Sequence, residues 1–93
     1  MISSKDLSMK RLFLKTAKYI GNDCVHYLED LFKHPLSDIE LEILEKIFTM
    51  GLYSDTAINE ACSAALYEKI FEVVEFNIIL SRINDIFGPP EET

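Results

Sequence analysis

Apolar residues recur at helical rather than strand spacing along nearly the whole chain. Leu7, Leu12, Leu14, Ala17 and Ile20 supply the apolar contacts of a first helix predicted over Ser4–Ile20. Ser3 or Ser4 caps it, Asp6 sits in the first turn where the helix dipole favours an acid, and Gly21 stops it. Val25, Leu28, Leu31 and Phe32 define a second helix over residues 23–32, with Asn22 as its cap. Pro35 ends it, because the residue before a proline avoids helical backbone. Gly21 leaves open whether these are two helices or one kinked helix. A third helix opens on the capping box Ser37-x-x-Glu40 and closes at Gly51. Its predicted buried stripe is Ile39, Ile43, Ile47 and Met50, widened by Leu44 and Phe48.

Residues 52–56 read as a loop in which Ser54, Asp55 and Thr56 are all able to cap the next helix. Residues 63–87 then hold no Gly or Pro and are dense in large apolar side chains, among them Phe71, Phe76, Ile79, Leu80, Ile83 and Phe87. One helix over residues 57–87 would be roughly 45 Å long at 1.5 Å per residue, about twice the others, so a break is expected at 59–63. The pattern predicts an all-α antiparallel bundle of four to five helices, with the long C-terminal helix central. Residues 1–88 form a single helical domain, and residues 89–93, with Glu91 and Glu92, an acidic, disordered tail.

Composition narrows the class. An apolar share of 48% with three Gly and three Pro is that of a packed globular domain, and 93 residues suffice for one core. The net charge of −7 is unevenly spread. Residues 1–18 hold five basic groups against one acid, and the rest four against fifteen. So acidic a body repels phosphate backbones and attracts cations, which argues against direct nucleic-acid binding. The N-terminus has no apolar run long enough for a signal peptide, and the apolar window near Ile78 is interrupted by Glu72, Glu75, Asn77 and Arg82. A soluble, cytoplasmic protein with no membrane contact is expected. Cys24 and Cys62 are then expected to be reduced and buried.

Little of the candidate chemistry survives. Cys24 and His26 lie two apart on a helix and cannot share a metal, while His34 beside Pro35 suits a helix end. The carboxylate pairs Glu42/Glu45 and Glu72/Glu75 lack the Glu-x-x-His partners of di-iron bundles, and no Gly-rich phosphate loop exists. No catalytic, cofactor or metal residues are therefore assigned, and an enzyme is not expected. Charge patterning remains. Arg11, Lys15 and Lys18 share a face at i, i+4, i+7, which ordinarily means a solvated face or a match for acids on a neighbouring helix. Asp38, Glu42 and Glu45 repeat that spacing, as do Glu68, Glu72 and Glu75. Exposed helix faces are normally charged, so solvation is the plain reading. The functional one is that both strips, with Asp55 and Glu60, imitate phosphates and occupy a cationic cleft.

Residues 36–76 carry a resemblance. LSDIELEILEKIFTMGLYSD, followed by a closing helix with LYEKIFEVVEF, resembles the colicin D-type bacterial immunity proteins, whose relatives accompany tRNA-cleaving toxins of contact-dependent inhibition systems. The shared pattern is a capped helix closing in Ile47-Phe48, an aromatic and an acid in the next loop (Tyr53, Asp55), and a final helix; the RLFL of the first helix is also similar. The resemblance implies a helical bundle that blocks the active site of a cationic ribonuclease toxin with acidic side chains. The family's loop is acid-rich after the aromatic, whereas here TAIN separates Asp55 from Glu60. The expected partner is thus a cationic nuclease toxin, met by Asp38, Glu42, Glu45, Tyr53, Asp55, Glu60, Glu68, Glu72 and Glu75. The alternative is a small helical adaptor or chaperone that takes a partner helix in an apolar groove, with Tyr67, Phe71, Val74 and Ile78 as a stripe facing it.

Overall fold

A computed structural model describes the backbone of residues 4–87 and the side chains of residues 7–87. The expected Ser3 cap, the side chains of Ser4 and Asp6, and the tail at 89–93 lie outside the described residues. The fold is an all-α bundle of five helices: α1 Ser4–Ile20, α2 Asn22–Leu31, α3 Asp38–Thr49, α4 Asp55–Glu68 and α5 Val73–Phe87.

Gly21 alone separates α1 from α2, which settles the open question as two helices. Its amide still donates to Ala17 O at 2.9 Å, and its own carbonyl accepts from Val25 N at 3.3 Å. The cap of α2 is therefore Gly21 rather than Asn22, with no side-chain bond. Glycine is needed here for space. A Cβ at Gly21 would run into the side-chain amide of Asn59 on α4, which would have to shift to admit it.

The capping box of α3 forms as expected: Glu40 N donates to Ser37 Oγ at 3.2 Å and Ser37 N to Glu40 Oε1 at 2.8 Å. Gly51 follows with φ +65°, the left-handed region that glycine occupies without strain. The buried stripe differs from the expected one. Leu41, Leu44, Ile47 and Phe48 face the core, whereas Ile39 and Met50 are 71% and 61% exposed. The expected Leu44, Ile47 and Phe48 are thus buried, the Phe48 ring meeting Phe13 of α1 at 5.9 Å, and the difference is that Leu41 is buried where Ile39 and Met50 were expected.

The larger correction concerns the last third of the chain. No break occurs at 59–63; α4 runs through it to Glu68. Ala57, Ala61 and Ala65, with Ile58 and Cys62, make a fully or almost fully buried face of small side chains along which α4 packs closely on α2. The chain turns instead at Lys69, which is left-handed at φ 59°, ψ 42°. Ile70 N donates to Ala65 O at 2.9 Å and Lys69 N to Leu66 O at 3.2 Å, a Schellman closure with lysine where glycine is usual. Tyr27 of α2 holds the turn: its hydroxyl donates to Ile70 O at 2.8 Å. Its ring stacks on Phe71 and Phe76, at 5.5 and 4.8 Å. The expected long central helix is thus divided. Residues 63–68 belong to α4, which packs on α1, α2 and α5, while the main contacts of α5 are α3 and α4.

Candidate interaction surface

The acids of α3 form a true strip. Asp38, Glu42 and Glu45 are exposed and, with Met9 of α1 and Leu41, line a cleft of about 270 Å³ between the two helices. Asp38 stands in the first turn, where it also offsets the helix dipole; Glu42 and Glu45 have no such local role. Among the described residues no Lys, Arg or His forms an ion pair with any of the three, and the one ion pair resolved there is Lys33 with Asp30 at 3.1 Å.

The second strip is not a helix face. Glu68 is the last residue of α4, Glu72 lies in the connection and Glu75 in the first turn of α5, because the helix expected to align them is broken at Lys69. Glu72 O accepts from Phe76 N at 2.9 Å and so opens α5. Glu72 and Glu75 suit the N-terminal dipole of α5, which accounts for these two without a partner, whereas Glu68 stands at the C-terminal end of α4. Asp55 likewise stands in the first turn of α4, beside Ser54, whose hydroxyl accepts from Ala57 N at 3.2 Å. Glu60 is exposed further along α4.

Tyr53 is not brought to the acidic cleft. It is half-buried on the opposite flank of α3, where it lines a groove of about 200 Å³ with Ile43, Lys46, Ile47, Leu52 and Asn77. Exposed Ile39, Met50 and Leu52 lie on the same outer side, an apolar surface missed by treating Ile39 and Met50 as core. The stripe proposed for a partner helix is scattered: Tyr67 ends α4 fully in solvent, Phe71 is stacked on Tyr27, and Val74 and Ile78 are partly exposed on α5.

Of the α1 cations, Arg11, Lys15 and Lys18 are exposed and form no ion pair among the described residues. Lys10 is different. It is buried among them, with Nζ donating to Phe32 O at 3.4 Å and His34 O at 3.2 Å, and lies 5.5 Å over the Phe32 ring. A signal was available: Lys10, Phe13 and Ala17 fall at spacings of three and four, inside the apolar face.

Cys24 and Cys62 are free and buried. The hydrogen bond that the Cys62 thiol donates to Cys24, then burial, then nearby negative charge push the Cys62 thiol up, so it stays protonated and unreactive. Among the described residues no three His, Cys, Asp or Glu side chains are grouped to hold a metal ion, and no helix is long and apolar enough to cross a membrane. No family model matches the chain, and neither a curated protein nor a solved structure shows significant similarity to it.

Proposed function

We propose that the chain is an immunity protein, a binding protein of the cytoplasm that neutralises a cationic ribonuclease toxin by docking its acidic surface on it. One observation carries this reading: Asp38, Glu42 and Glu45 stand exposed beside a cleft, with no cation of the described chain reaching them. Unpaired like charges along a helix oppose folding slightly, by about 0.2–0.5 kcal/mol for a pair four apart, so retaining them favours a use outside the molecule. A cationic toxin is drawn to such a strip at long range, and half-buried Met9 in the cleft offers an apolar hold once it has docked. Among the acids expected to meet the toxin, those of α3 are the centre of the contact.

Genomic context supplies the probe. An immunity gene lies directly downstream of its toxin, and the C-terminal domain of that upstream reading frame is the partner to purify. The double reversal E42K/E45K is expected to weaken its binding about 100-fold or more, mostly through slower association at low salt. Unchanged affinity removes the strip from the reading, and an upstream product that is not toxic removes the reading itself.

A second reading, a helical adaptor, rests on a separate observation: Ile39, Met50 and Leu52 are exposed around the groove lined by Ile43 and Tyr53. It predicts the opposite sensitivity, with binding lost in Ile39→Asp and Leu52→Asp and retained in E42K/E45K.

A further inference from the structure

The cations of α1 and the acids of α3 have the same spacing. Arg11, Lys15 and Lys18 follow one another by four and three residues, as do Asp38, Glu42 and Glu45. All six are exposed, and none pairs with another within the chain. The helices that carry them pack side by side, yet α1 turns its Met9 side to α3 and its cations away. Among the described residues each strip thus lacks a match, which a second molecule would bring in register.

We infer that the two strips are halves of a self-association surface, in which Arg11, Lys15 and Lys18 of one copy meet Asp38, Glu42 and Glu45 of another. A two-fold arrangement that brings both pairs of strips together would close the assembly as a dimer. Exposed Leu7 and Leu12 beside the cations, and half-buried Met9 beside the acids, supply apolar surface that shields the ion pairs from water. A nucleic acid or an anionic membrane offers negative charge too, but it would also confront the eleven excess acids beyond residue 18. A second copy offers its acids at the right spacing. The net charge of −7 opposes approach of two copies at a distance, but beyond the ~10 Å Debye length of 0.1 M salt that repulsion is screened and the local match decides. The contact does not depend on the toxin reading; where that reading holds, self-association and toxin compete for the α3 strip.

Sedimentation equilibrium of the full chain from ~10 μM to ~1 mM protein in ~0.1 M salt tests it, since weak pairs dissociate in that range. The expected mass rises towards twice 10.7 kDa with concentration, and the dissociation constant weakens at least ~10-fold in ~1 M salt. R11E/K15E/K18E and D38K/E42K/E45K should each be monomeric. The six-fold swap combining them keeps the net charge at −7 and should dimerise again. Carbodiimide coupling of mixed light and ¹⁵N-labelled wild-type protein needs no variant, and should join Lys15 or Lys18 to Asp38, Glu42 or Glu45 across copies. A wild-type chain that stays monomeric at ~1 mM, or a dimer indifferent to both triple reversals, overturns the inference. So does α1-dependent binding to anionic vesicles without self-association. Toxin binding leaves all of these readouts untouched, because no toxin is present.

Discussion

Lys10 takes its charge inside and uses it to tie α1 to the end of α2, where Phe32 and His34 leave carbonyls without helical partners. Replacing it with methionine keeps the aliphatic stem and removes the donors. Lys10→Met is expected to lower stability by about 1–3 kcal/mol, read as a lower urea midpoint with an unchanged m-value. Tyr27 does similar work between α2 and the turn at Ile70. Burial, the largest cause, pushes its phenol above the ordinary value of 10.0. The Cys62 thiol is likewise raised above its ordinary 9.0, by the Cys24 hydrogen bond first and burial second. In the unfolded chain both groups ionise near those ordinary values, while in the folded chain both keep their protons. Stability is therefore complete below pH 9, starts to fall as pH rises past 9 and falls faster above 10, by up to about 1.4 kcal/mol per pH unit for each group. Urea midpoints at pH 8, 9.5 and 10.5 check this. Tyr27→Phe should be less stable at pH 8, yet lose less on going from 9.5 to 10.5.

At the scale of elements, the turn between α4 and α5 is the place where local preference and the fold disagree. Lysine in the left-handed region costs roughly 1–2 kcal/mol, partly recovered by the lower chain entropy it has compared with glycine. Lys69→Gly is expected to stabilise by about 0.5–1 kcal/mol, which raises the melting temperature by about 2–8 °C in a domain of this size. A fall in melting temperature would mean that the lysine side chain contributes more than its backbone loses. The turn bears on the proposed function because it dismantles the second acidic strip and leaves α3 as the helix with an aligned one.

For the whole molecule, the question is what an excess of negative charge does. Most of the acids in the first turns of α2, α3, α4 and α5 are accounted for by helix dipoles. Glu42 and Glu45 are not, and they contribute to self-repulsion in a chain of net charge −7. E42Q/E45Q should therefore leave stability within about 0.5 kcal/mol of wild type or slightly raise it. The same variant should slow association with a cationic partner. A urea titration beside a stopped-flow association rate separates the two: loss of both would mark the acids as structural.

What the sequence determined by itself is what neighbours in the chain decide. The span of α1, the capping box at Ser37 and Glu40 and the stop at Gly51 are all made within four residues and were legible, and the cap at Ser54 was one of three that the sequence left open. The α3 acidic strip was legible for the same reason, since helical periodicity alone aligns it. Tertiary structure decided the rest. The turn at Lys69 has no Gly or Pro to announce it, and depends on a bond from Tyr27 to a carbonyl 43 residues away. Which apolar stripe of α3 is buried depends on where Phe13 lies, and whether the α1 cations meet the α3 acids depends on how two helices are rotated against each other. Local hydrogen bonds fix where a helix starts and stops, but its orientation is set by the apolar surface that all five bury together.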